Sequence, residues 1–133
     1  MRIVKTTTKK QIGAATIALL GAVAFASSGA AEEKLQKVAG AQIRAKIAGM
    51  ELTDEVHWRD FYERNGTVTS SSMGRKRTGK WRVEKDQLCV EFDEEPPAKC
   101  YQVWMSGKKV ELRREGILPL QGVLEQPTTR GGR

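Results

Sequence analysis

The punctuation of the chain after Gly49 is its strongest constraint. Short runs rich in aromatic and β-branched residues are separated by turn residues roughly every eight to twelve positions, the mark of an antiparallel sheet. Residues 56–63 lead into Asn65-Gly66 and residues 67–70 lead away, a pairing that reads as a tight hairpin because both turn residues tolerate positive φ. Residues 70–78 are polar and read as a strand end followed by a loop. A strand at 79–83, a turn at 84–87 and a strand at 88–92 follow, with Leu88, Val90 and Phe92 on one face. After the interruption at 93–98, residues 99–105 return with Tyr101, Val103 and Met105 alternating onto that same face. Gly107-Lys108 turns the chain again, and residues 109–113 and 117–124 finish the series, Pro119 limiting the last to an edge or a short strand. No longer period recurs, which excludes a solenoid or a propeller. About seven strands in so short a chain bury an apolar face only by curling. The expected fold is mainly β: a short N-terminal helix, then an antiparallel meander forming a small barrel or strongly bent sheet, lipocalin-like in outline.

The chain has 133 residues, enough for one domain, and with 39% hydrophobic and 29% charged residues it is neither a polytopic membrane protein nor fully disordered. Its first thirty residues read as a secretory signal. Arg2, Lys5, Lys9 and Lys10 precede the uncharged apolar run 12–25, which is short and rich in small residues, and cleavage is expected between 26 and 31, after Ala26 or after Ala30. Residues 31–125 then form a single domain and 126–133 a disordered tail. Export changes the charge balance. The formal charge of +7 falls as the leader's four basic residues leave, 19 basic against 16 acidic residues remaining for a net +3, an ordinary value that does not favour a nucleic-acid partner.

Between the leader and the strands, Leu35, Val38, Ala39, Ile43 and Ile47 fall at helical spacing. The helix spans 32–48, or forms two pieces or only 41–48 if Gly40 breaks it, with Glu32 and Glu33 at the start and Gly49 as the stop.

Cys89 and Cys100 flank the 93–98 connection, and if Leu88 faces Tyr101 the two cysteines stand opposite each other. A disulfide is expected, permitted by an oxidising compartment and worth about 3 kcal/mol through loop closure. The spacing is not that of a Cys-x-x-Cys redox pair. Two cysteines and the lone His57 supply neither a four-thiolate zinc site nor paired histidine ligands, so no metal and no cofactor is expected.

No catalytic constellation emerges. His57 lies close in sequence to Asp60, but a dyad needs a partner placed in space, and Ser70 to Ser72 lack a nucleophile elbow and read as loop. The aromatics Trp58, Tyr62, Trp81, Tyr101 and Trp104 all fall on expected strands and are the candidate ligand contacts at a barrel mouth, or else core filling. Arg75, Lys76, Arg77, Lys80 and Arg82 surround Trp81 and are the candidate anion contacts, against the plainer reading of a solvated hairpin loop. Asp93, Glu94 and Glu95 lack the spaced ligands of a calcium loop and read as a solvated turn.

Taken together, the helix ending in Gly49, the aromatic strand before Asn65-Gly66, the strand Gly79-Lys80-Trp81-Arg82-Val83 and the hairpin Leu88-Cys89 to Cys100 resemble a group of small exported proteobacterial domains of unknown function. That resemblance implies a fold and a periplasmic or secreted location, and carries no catalytic residue with it. The function expected is a non-enzymatic binding module for a small amphipathic molecule or a cell-envelope component, and the alternative is a protein-directed inhibitor or envelope accessory factor.

Overall fold

The computed structural model describes residues 34–128, together with Gly13 and Gly21. The expected leader, apart from those two glycines, and residues 129–133 of the expected tail lie outside the described residues. The chain divides into Met1–Ala31 and Glu32–Arg133, and the second unit carries the fold below.

Strand β1 (Gln36–Lys37) and helix α1 (Gly40–Ile47) precede β2 (Met50–Thr53), β3 (Trp58–Tyr62), β4 (Thr67–Ser72) and β5 (Arg75–Glu84). Then come β6 (Gln87–Phe92), β7 (Lys99–Ser106), β8 (Lys109–Arg113) and β9 (Leu120–Glu125). Each strand from β3 onward pairs antiparallel with the one before it, and β9 returns to β2, so β2 to β9 close an eight-stranded barrel. Closure removes the free edges that a small meander would otherwise expose. β1 completes the wall where β6 stops short, pairing Gln36 with Met105 and Lys37 with Trp104 on β7.

The expected barrel, helix and disulfide are all present, with four local corrections. Of the two helix spans the shorter is found: α1 occupies Gly40–Ile47, and among the described residues before it Gln36 and Lys37 pair with β7 as β1. Gly40, which weakens an isolated helix, is needed for contact, since a Cβ there would lie 3.1 Å from Asp86 Oδ1 and 3.3 Å from Val83 Cγ1. Its N–H donates to Asp86 Oδ1 at 2.7 Å, capping a helix start that has no side-chain cap of its own. The strand end expected at residues 70–78 is present, but the loop expected after it shrinks to a two-residue turn. β4 runs to Ser72, Met73 and Gly74 turn with positive φ, and β5 begins at Arg75, so the basic run lies on a strand. At Asn65-Gly66 only the glycine takes positive φ (92°), while Asn65 Oδ1 accepts the Thr67 N–H at 2.9 Å. Finally β2, too short and mixed to read as a strand, is held between β3 and β9.

The helix closes one end of the barrel. Ile43 and Ile47 are fully buried and join Tyr62, Trp81, Leu88 and Val103 in the core. Gly79 is the tightest point of the wall. A Cβ there would stand 2.1 Å from the Glu91 carbonyl oxygen, so β5 crosses β6 at a place where only glycine fits. Leu88 faces Tyr101 and Cys89 faces Cys100 as the alternation requires, and the Cys89–Cys100 disulfide joins β6 to β7 across a short seam.

Candidate functional site

Strand alternation carries a polar row into the upper half of the barrel, away from the helix. Asp60 on β3 is the register partner of Ser70 on β4, and Ser70 is the partner of Arg77 on β5. All three point inward, in the same sense as the core residues Tyr62, Val68 and Trp81. Asp60 and Arg77 border a cavity of about 150 Å³ at the barrel mouth. Its polar lining is Asp60, Arg77, Glu95 and Lys99, its aromatic floor Tyr62 and Tyr101, and its apolar walls Val90, Phe92, Leu112 and Leu120.

The charges are matched in pairs. Glu95, on the connection between β6 and β7, takes Arg77 Nη1 on one carboxylate oxygen at 3.1 Å and Lys99 Nζ on the other at 3.5 Å. The Arg77 guanidinium also lies over the Phe92 ring, 4.2 Å from its centroid, which fixes its direction. Arg77, with Lys99 adding to it, holds the Glu95 carboxyl below the usual carboxylate range. Asp60 is the opposite case. Burial pushes its carboxyl up, against the Ser70 hydrogen bond and the Arg77 charge. Burial likewise raises Tyr62 well above an ordinary phenol, with Asp60 and Tyr101 adding to it.

The structure thus divides the sequence candidates. Among the aromatics, Tyr62 and Tyr101 reach the cavity and the three tryptophans do not. Trp81 is core, edge-on to Tyr62 at 5.8 Å between ring centroids, with its Nε1–H donating to the Glu63 carbonyl at 2.8 Å. Trp58 packs where Gly122 leaves room, and Trp104 lies outside beneath the Arg113 guanidinium, 4.1 Å from its ring centroid. Of the five basic residues singled out in the sequence, only Arg77 lines the cavity. Arg75 meets Glu94 at 3.5 Å, Arg82 meets Glu84 at 3.0 Å, and Lys76 and Lys80 are exposed. The acidic turn and the basic run, read separately in the sequence, are therefore each other's partners. Glu95 itself was missed as a site residue, because its role depends on β5 reaching as far as the 93–98 connection.

His57 does not pair with Asp60. Its Nδ1 is 2.8 Å from Asp54 Oδ2, while Asp54 Oδ1 accepts the backbone N–H groups of Val56, His57 and Trp58. Desolvation opposes the ionised form, but these donors hold the Asp54 carboxyl far below its usual range. The pair clips the β2–β3 loop. Larger depressions, of about 300 Å³ beside His57 and Met73 and about 560 Å³ beside Leu35 and Lys109, are more open to solvent than the mouth cavity. Glu84 stands close to Cys89 Sγ at 3.9 Å, but both sulfurs are spent on each other and neither is a thiolate ligand.

The mouth end of the barrel carries exposed apolar side chains, of which Leu120 lines the cavity itself. Among the described residues the exposed large hydrophobics are Val56, Met73, Ile117, Leu118 and Leu120, and all five lie at the mouth end, on the β2–β3, β4–β5 and β8–β9 connections and at the start of β9. No family model, curated protein or solved structure matches the chain. No helix among the described residues is long and apolar enough to cross a membrane.

Proposed function

We propose that this protein is an exported, non-enzymatic binding module that holds a small amphipathic molecule, free or belonging to the cell envelope, in the mouth of its barrel. One observation carries the reading: an interior cavity in which Asp60, Arg77 and Lys99 face Val90, Phe92, Leu112 and Leu120. Apolar walls with a few convergent polar groups are the usual chemistry of a small-molecule site. The cavity is about 150 Å³, below the roughly 300–1,000 Å³ of sites for drug-sized ligands, which suits a small molecule or the end of a longer one. Export is supported by the basic and apolar pattern of residues 1–30, by the disulfide, and by the resemblance to small exported proteobacterial domains. Native mass spectrometry of protein purified from the compartment it reaches is expected to show a retained small molecule that denaturation releases. A protein of unmodified mass that stays empty across an envelope extract would contradict the reading.

A second reading, an inhibitor or accessory factor directed at another protein, is favoured by the rim. Val56, Met73 and Leu118 are 79%, 80% and 86% exposed on three separate connections, an arrangement suited to burial against a partner. The same experiment would then reveal a stoichiometric protein companion.

A further inference from the structure

The cavity contains one part that does not belong to the barrel wall. Asp60, Tyr62, Arg77, Val90, Phe92, Lys99, Tyr101, Leu112 and Leu120 all stand on strands; Glu95 alone among the lining residues comes from a connection. Its carboxylate is 50% exposed, and it spans the two cations of the cavity with one oxygen each. The backbone anchors of this connection, Asp93 N–H to the Thr78 carbonyl at 3.0 Å and Glu95 N–H to the Phe92 carbonyl at 3.0 Å, lie on the β6 side, between β6 and Glu95.

We infer that Glu95 is a built-in stand-in for the ligand's head, and that the ligand is a small amphiphile bearing a carboxylate, which binds by displacing Glu95 from Arg77 and Lys99. This rests on the mouth-cavity reading above and deepens it by naming the ligand class.

Charge balance supports a single negative charge. Arg77 and Lys99 are set against Asp60 and Glu95, so a carboxylate that replaces Glu95 leaves the cavity as balanced as before. An anion that entered while Glu95 stayed would add an unpaired charge to a partly enclosed site. An ammonium head would meet two like charges in the lining, Arg77 and Lys99. Geometry supports the same head. The Arg77 guanidinium is held over the Phe92 ring, so it stays aimed at the mouth when Glu95 leaves, and a guanidinium fork matches a carboxylate better than a single ammonium does. The hydrocarbon part of such a ligand meets Val90, Phe92, Leu112 and Leu120.

Calorimetric titration of the oxidised full domain with hexanoate, hexanol and hexylamine tests this. The wild-type protein is expected to prefer hexanoate. In Glu95→Gln, which removes the internal competitor, hexanoate affinity should rise about tenfold, the scale of one charge-assisted hydrogen bond, with hexanol unchanged. Lys99→Gln should erase most of the preference for hexanoate over hexanol. Glu95 is half exposed, so its substitution is expected to lower the melting temperature only slightly and to leave the fold intact. Equal binding of hexanoate and hexanol, unaltered by Glu95→Gln, would overturn the head-group inference and leave the cavity reading standing. Preference for hexylamine would do the same. Failure of all three probes on both wild type and Glu95→Gln would remove the cavity reading as well.

Discussion

The two ends of the barrel are built from the same strands and differ in almost every other respect. At the helix end Ile43 and Ile47 join Tyr62 and Trp81 in one apolar core, and the helix start is capped by Asp86. At the mouth the same alternation delivers Asp60, Ser70 and Arg77, a connection contributes a carboxylate, and the rim carries exposed apolar side chains. One strand repeat separates the two chemistries along β3, where Tyr62 belongs to both and Asp60 to the mouth alone. The lesson is a division of labour along the barrel axis. The closed end supplies the stability that lets the mouth hold a buried carboxyl with a raised pKa and an only partly filled interior.

That division has measurable consequences. Truncating the closed end should be the most damaging change: Trp81→Ala is expected to cost about 3–5 kcal/mol in denaturant unfolding, while Phe92→Ala, half-buried at the mouth, should cost about 1–2 kcal/mol. Comparable losses from the two would erase the distinction. Next is the wall between them. Replacing both Cys89 and Cys100 by serine should cost about 3 kcal/mol, since the bridge closes a loop with a sequence separation of 11, and reduction of the wild type should reproduce it. Asp86→Ala should cost about 1 kcal/mol by uncapping the helix, with its first effect on amide exchange protection at the closed end.

The smallest effect has the opposite sign. Asp60 has a folded pKa raised above 3.8, so the folded state binds its proton more tightly than the unfolded chain does. Stability therefore falls as pH rises from the unfolded value through the folded one, and the penalty persists above it. Asp60→Asn should melt higher than wild type near pH 7 and lose that advantage near pH 3, a crossover that thermal scans across this range would reveal. A uniform loss at all pH values would mean that the Arg77 charge compensates Asp60 fully.

Much of the architecture could be read from residues. Leu88, Val90 and Phe92 against Tyr101, Val103 and Met105 set the register that places Cys89 opposite Cys100, because a period of two leaves no intermediate choice. Gly49 does end the helix, with φ of 77°. The site was far less legible. Whether Arg77 faces in or out depends on the parity imposed by the Met73-Gly74 turn, and the serines and basic residues on either side of that turn have little strand propensity of their own. They are strands because β3 and β6 bracket them. Once the basic residues after Ser70 are read as a loop, neither the inward row of Asp60, Ser70 and Arg77 nor the meeting of Arg77 with Glu95 can be foreseen. The tryptophans misled for a related reason: size and aromaticity mark a residue as important without saying whether it fills the core or lines a site.

The difference between the two ends is tested most directly by backbone amide chemical shifts recorded while hexanoate is added to the oxidised protein. The account predicts saturable changes at Asp60, Arg77, Glu95 and Tyr101, with Ile43, Ile47 and Trp81 left in place. Saturable changes confined to the outer loops at Val56 and Met73, or centred on the helix end, would contradict it.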